Sequence, residues 1–211
     1  MSTSRSYRDA CPIARALDAT GERWALLVVR ELLLGPQRFS DLRRALPGAS
    51  SNMLTDRLRE LEGRGLVRRR TLPPPAASSV YELTDRGGEL EPVLDALGAW
   101  GAAEPPPADA SLTATSVLLF LRGCARSHPD PPRETYRVQL GERVWTISSP
   151  EGQIEIEEKD MATPDASLDA DPRTLNALLF APAGLDAAIA SGAVRAHGDL
   201  VALRRLLEVA V

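Results

Sequence analysis

The 211-residue chain reads as an α+β protein of two units, and three stretches predict it. Between Phe39 and Glu62, two short amphipathic segments of helical spacing are split by Pro47-Gly48. A proline halts the helix before it, and a glycine accepts the left-handed turn beyond. Next, residues 66–72 and 80–84 alternate as strands around the polar, proline-rich turn Pro73 to Ser79. Finally, Glu104-Pro-Pro-Pro-Ala-Asp-Ala-Ser111 has the composition of a stiff, extended spacer, and strands and helices intermix after it. The predicted division is 1–103, a linker at 104–111, and 112–211.

Taken in order, residues 1–9 are polar and predicted to fray, and Cys11 to Ala19 forms a short helix with Pro12 at its first position. Gly21 breaks it. Glu22 to Leu34 makes a second, broadly apolar helix ended by Gly35-Pro36. After the hairpin, Thr84 or Asp85 caps a helix running to about Ala102, with Leu90, Val93 or Leu94, Leu97 and Trp100 as its stripe. The second unit opens on a helix from Leu112 to about Arg126. Three alternating segments follow, 134–140, 143–149 and 153–159, turned at Leu140-Gly141-Glu142 and Pro150-Glu151-Gly152 as an antiparallel meander. A short strand near 166–170, helices from Asp171-Pro172 to Leu179 and from Gly184 to Ser191, a strand at 193–197 and a last helix from Leu200 to Val209 complete the chain.

The helix after Pro47-Gly48 is the one with a chemical face. Ser50 or Ser51 caps it, and Leu54, Leu58 and Leu61 line one side. The other side carries Asn52, Thr55, Asp56 and Arg59, with Arg57 at its margin, a short polar surface of the kind that lies in a DNA major groove. Asn52 can bond an adenine edge and Arg59 a guanine; Ser51 and Thr55 serve bases or phosphates. Arg57 suits a phosphate, as does Ser40, which can cap the preceding helix and give its amides to a phosphate. In the hairpin, Arg68 and Arg70 share one side and Arg69 takes the other, and these three, with Ser78 and Ser79 of the opposite arm, are candidates for contact with the DNA backbone. The competing reading of each single arginine is a solvated face.

Charge supports the division. The whole chain carries −4, but residues 1–102 hold 15 Arg against 13 acidic residues, or +2, leaving −6 beyond. Such asymmetry fits a DNA-facing unit joined to one that does not face DNA. No apolar run approaches the roughly 18 residues of a membrane span, and the start has no signal-like apolar stretch, so the expected location is the cytoplasm. Two cysteines make no disulfide framework, and the two histidines stand in no metal-ligand or triad spacing, so neither an enzyme, a metal nor a cofactor is expected.

Several motifs occur together in order: Cys11-Pro12, the run from Gly21 through Trp24 to Glu31, Phe39-Ser-Asp-Leu42, Met53-Leu-Thr-Asp-Arg-Leu-Arg-Glu-Leu61, Gly65-Leu-Val67, Tyr81-Glu-Leu-Thr84 and Trp100. With these the first half resembles a winged helix-turn-helix regulator of the HxlR type, within the MarR-like group. The resemblance implies a repressor that binds double-stranded DNA as a homodimer on a palindromic operator. It also implies dimerisation through the helices flanking the reading unit, with Ile13, Leu17, Leu90, Leu94, Leu97 and Trp100 as the interface; the competing use of the later helix is packing onto the second domain. Several such regulators sense oxidants or electrophiles through a cysteine at the place of Cys11. A helix start with Arg8 and Arg15 nearby favours a thiolate there, while a small packed residue is the plainer reading. Cys124 reads as core.

The closing text, Leu175-Asn-Ala-Leu-Leu-Phe180, Gly184 to Val194 and Gly198-Asp-Leu-Val-Ala-Leu203, is similar to a sterol-carrier-protein type two-like domain. That implies an antiparallel sheet covered by helices and an apolar tunnel for a hydrophobic effector, with Leu118, Phe120, Leu121, Trp145, Ile147, Leu178 and Phe180 as lining candidates. A closed core that only supports assembly is the alternative. Two further readings stay open: a regulator switched at Cys11, and a lipid carrier whose winged helix is an interaction module.

Overall fold

The computed structural model describes residues 6–73, 78–103, 110–128, 132–150 and 154–210. Backbone contacts divide the chain into two compact units, Met1–Pro106 and Pro107–Val211. The spacer prolines, the tip of the first hairpin and the turn at Glu151-Gly152 lie outside the described residues.

The first unit runs α1 (Pro12–Thr20), α2 (Ala25–Leu32), β1 (Gln37–Arg38), α3 (Phe39–Ala45), α4 (Ser51–Gly63), β2 (Val67–Thr71), β3 (Ser79–Leu83), α5 (Asp85–Gly88) and α6 (Glu91–Gly101). The hairpin is as expected, with Arg69 opposite Tyr81 and Arg68 opposite Glu82. A strand that the pattern did not announce, β1, adds to the far edge of β3 and makes the sheet three-stranded. Two residues are too few to show a period.

Two helix boundaries move for physical reasons. The helix expected from Glu22 starts at Ala25, because Trp24 sits at φ +78°, in the left-handed region. The long helix expected from Asp85 is two pieces: α5 is one turn capped by the Thr84 hydroxyl, and α6 restarts with Pro92 in its first turn, where no helical donor is lost. The core draws on every helix but α5. Val28, Val29, Leu32, Leu42, Leu46, Leu54, Leu58 and Leu61 are buried, and Leu90 and Leu94 anchor α6 against them.

The second unit runs α7 (Ala114–Ser127), β4 (Tyr136–Leu140), β5 (Arg143–Ser148), β6 (Glu155–Glu157), β7 (Ala166–Ala170), α8 (Pro172–Phe180), a 3-10 turn (Pro182–Gly184), α9 (Leu185–Ala190), β8 (Arg195–Gly198) and α10 (Leu200–Glu208). Its sheet has the order β6-β5-β4-β7-β8. The meander β4-β5-β6 is antiparallel as expected, but β7 returns parallel to β4, so the sheet is mixed rather than purely antiparallel. Tyr136, Val138, Leu140, Trp145, Ile147 and Leu168 point to one buried face, and α7, α8 and α10 supply Leu118, Leu121, Leu175, Leu179, Leu203 and Leu207. Tyr136 ties sheet to helix: its one hydroxyl proton is shared between the Glu134 carboxylate at 2.9 Å and the Ala202 carbonyl at 3.1 Å, and Glu134 also pairs with Arg205. Gly198 permits β8 to close, since at φ +84° its Cα passes so near β7 that a Cβ would stand 2.3 Å from the Asp165 carbonyl oxygen. Among the described residues, no helix is long and apolar enough to cross a membrane.

Candidate nucleic-acid interface

Ser50 caps α4, its hydroxyl accepting from the Met53 amide at 3.2 Å. The helix ends on Gly65 at φ +68°, with the Leu66 amide bonded back to the Leu61 carbonyl at 2.9 Å. Leu54, Leu58 and Leu61 are fully buried at spacings of four and three, which fixes the rotation of α4 about its axis. Asn52 and Arg59 consequently stand exposed on the opposite side, with Thr55 half-buried between them. The Thr55 hydroxyl bonds its own helix at the Ser51 carbonyl, 2.8 Å away.

Three expected contacts are placed differently. Arg57 is turned inward: its side chain is 13% exposed, pairs with Glu60 and lies 3.7 Å from Glu22. It is a tie between α4 and the residues before α2, not a margin cation. Ser51 is exposed but accepts from Arg43 Nε at 2.9 Å, and Arg43 also donates to the Ala49 carbonyl at 3.2 Å. Arg43 thus staples the turn between the two helices, a role that no local pattern announces, because its partners lie six and eight residues away across a bend. Ser40 is exposed within the first turn of α3, but it is not the cap; the Asp41 carboxylate accepts the Arg38 amide at 3.3 Å.

The hairpin arginines divide as their alternation requires. Arg68 and Arg70 converge on Glu82, at 2.7 and 2.9 Å, from the strand opposite. Arg69, on the other face, donates to the Ser79 hydroxyl at 2.6 Å and lies over the Tyr81 ring. Ser78 is half-buried, and its carbonyl accepts from the Leu72 amide. Burial alone would raise the Glu82 carboxyl, but the two guanidinium groups outweigh it and hold it below the ordinary carboxylate range.

The flanking helices divide too. Leu90 and Leu94, expected on an interface, pack inward against the core. The outward residues are Ile13 and Leu17 of α1 and Val93, Leu97 and Trp100 of α6; Ile13 is 71% and Trp100 77% exposed. Cys11 is an exposed free thiol at the N-cap of α1, and its amide donates to Asp9 at 2.8 Å. A cleft of about 470 Å³ opens beside α1 from Pro12, with Arg15, Ala19, Leu66, Arg86 and Leu90 among its walls.

In the second unit, Leu118, Leu121, Trp145, Ile147 and Leu178 are buried together with the rest of the core. Phe120 and Phe180 instead stack on each other at 5.2 Å, with Phe180 64% exposed, so Phe180 does not line an interior. The Trp145 indole N–H is buried without a hydrogen-bond partner. Cys124 is half-buried, and burial pushes its thiol up.

Residues 19–108 match the model of the HxlR-like helix-turn-helix family, and residues 131–210 match that of the SCP-2 sterol transfer family. The uncharacterized HTH-type transcriptional regulator YvaP of Bacillus subtilis is 41% identical over 93 residues, 44% of this chain and 86% of that one. The chain belongs to the HxlR-like helix-turn-helix family. A second relative, the HTH-type transcriptional regulator YodB of the same organism, is 35% identical over 100 residues, 47% of this chain and 89% of that one. A solved structure, the redox regulator HypR in its oxidized form, is 33% identical, covering 46% of this chain and 100% of that chain at a TM-score of 0.43. This HxlR-like chain is therefore a transcriptional regulator whose family-matching half is joined to a second unit that these relatives do not cover.

The lowered carboxyl of Glu82 sets a pH dependence. A folded-state value below the unfolded one gives stability that is present above the unfolded value, about 4.3 for glutamate, and lost as pH falls through the folded value. The hairpin amides should therefore keep their hydrogen-exchange protection from pH 7 down to about 5 and lose part of it below about 4. In Glu82→Gln that acid-dependent component should vanish; an identical acid profile in the variant would refute the assignment.

Proposed function

We propose that this regulator reads a two-fold operator as a homodimer and represses from it, with α4 of each copy in a major groove and the hairpin beside it on the phosphates. The observation that carries the reading is the pair Asn52 and Arg59, exposed on a helix whose opposite face is locked into the core. Arg68 and Arg70 support the wing role, since Glu82 holds both heads on one side of the hairpin while 65% and 46% of their side chains stay in solvent. The exposed apolar side chains of α1 and of α6 support pairing of two copies, which would set half-sites about one helical turn apart or a multiple of it. Selection of bound sequences from random DNA tests the reading directly. Asn52→Ala should then weaken binding to the selected site by about 1–3 kcal/mol and relax preference at one base pair, with the salt dependence unchanged. Equal loss on all sequences would sink it.

For the second unit we propose a hydrophobic effector site within the helix-covered face of the sheet. The match to the sterol-transfer model and the buried, unpartnered indole N–H of Trp145 support it, since a donor left unbonded in an apolar core is stabilised by an acceptor. Native mass spectrometry of gently purified protein should show a bound apolar molecule that delipidation removes; protein that is ligand-free and takes up no added lipid would count against the site.

A second reading is favoured by the exposure of Cys11 at the start of α1, the helix that carries the exposed Ile13 and Leu17. Alkylation or oxidation of that thiol would place new bulk beside those apolar side chains. Cys11→Ser should bind DNA as the natural chain does and lose any release by an electrophile such as a quinone. A response that survives the substitution would eliminate this switch.

A further inference from the structure

We infer that the junction Gly21–Trp24 is the positioning element for the recognition helix, acting through two contacts: the Trp24 ring on Gly48, and Glu22 on Arg57. The inference rests on α4 being the base-reading helix. Four observations converge on it. α1 ends abruptly at Gly21, whose amide bonds the Leu17 carbonyl at 2.7 Å and where a Cβ would stand 2.6 Å from that same oxygen. Three residues later Trp24 takes φ +78°, a left-handed conformation that bulky residues adopt only when their surroundings hold them there.

What holds it is the ring. A Cβ on Gly48 would come to 2.8 Å from Cη2 and 3.2 Å from Cζ2 of Trp24, so the indole lies directly on the glycine of the turn that feeds α4. The indole N–H is buried and has no hydrogen-bond partner, so packing rather than a polar bond places the ring. Beside it, Arg57 reaches from α4 to Glu22, 3.7 Å away, with its own charge mostly covered by Glu60. One short junction therefore touches the reading helix at both its entry turn and its flank.

Only glycine fits position 48 beneath that ring, and the atoms that exclude a side chain all belong to the outer six-membered ring of Trp24. Phenylalanine at 24 would withdraw them. This gives a test by complementation, using the full-length chain and the DNA site obtained by selection. Gly48→Ala should lower affinity for that site about tenfold, roughly 1.4 kcal/mol, with affinity for random DNA of equal length changed less than twofold. Trp24→Phe together with Gly48→Ala should restore specific affinity to within about threefold of the natural chain.

Thermal unfolding of each variant separates pose from stability, because a merely structural contact would move the melting temperature and both affinities together. Parallel loss on specific and random DNA, no loss in Gly48→Ala, or no recovery in the double variant each overturns the inference. Should Gly48→Ala fail to fold, Glu22→Gln, at an exposed carboxylate, carries the test, with the same selective loss expected at smaller size. A natural chain without sequence preference would refute the reading of α4 itself, and that outcome is distinct from a selective natural chain whose variants behave normally.

Discussion

The burial of one face of α4 is the constraint on which the first unit depends. Leu54, Leu58 and Leu61 are withdrawn from solvent against Val28, Val29, Leu42 and Leu46. At about 1.5–3 kcal/mol for each fully buried leucine, these three side chains supply on the order of 5–9 kcal/mol as an upper bound. That is comparable to the net stability of a whole domain, so α4 cannot roll about its axis without unfolding the unit. The same restraint decides which residues face outward: rotating the helix by one position would bury Asn52 or Arg59 and expose a leucine. A reading surface built this way needs few polar contacts to orient it, because the apolar side has already done so.

Charge pairing decides which cations can reach a phosphate. Exposed ion pairs contribute about 0–1 kcal/mol, so a guanidinium in such a pair exchanges its carboxylate for a phosphate at little cost. Arg59, with 74% of its side chain in solvent and 3.8 Å from Asp56, is of that kind. Arg57 is not, since only 13% of its side chain reaches solvent and it is already paired with Glu60. The first half thus has fewer available cations than its 15 arginines suggest, which agrees with its net charge of only +2. On the proposed reading, attraction to arbitrary DNA is weak, and selectivity comes from base edges and from holding the helix in register.

Much of this was legible in the residues because it is local. The spacing of Leu54, Leu58 and Leu61, the serine before them, and the alternation that put Arg68 and Arg70 on one side of a strand are all periodic or capping signals. What stayed hidden was tertiary. Leu90, Leu94 and Leu97 look equivalent along the chain, yet the first two meet the core and the third meets solvent, because only contact with α2 and its neighbours distinguishes them. Arg57 and Arg59 stand only two residues apart, and Arg57, paired with Glu60 on its own helix, also lies 3.7 Å from Glu22, thirty-five residues earlier. Trp24 reads as an ordinary helical residue in a good apolar stripe; its backbone is left-handed at φ +78°, and its ring lies on Gly48, distant in sequence. In the second unit the parallel return of β7 was likewise invisible, since a strand's direction in a sheet is set by the crossover and not by its own five residues.

The second unit poses a different energetic problem. Five of the seven residues named as lining candidates are already packed in its core, including Trp145 and Ile147 at full burial. Any apolar molecule entering there must displace existing contacts, and dispersion lost on opening offsets much of what its own burial returns. Binding therefore favours a ligand that adds something the empty core does not have, and the unbonded Trp145 donor is such a thing. An effector that merely fills space gains little beyond the core contacts it displaces, and so shifts the equilibrium little. One whose acceptor meets that indole would favour the opened form alone, and a difference in affinity between two forms is the condition for regulation by a ligand.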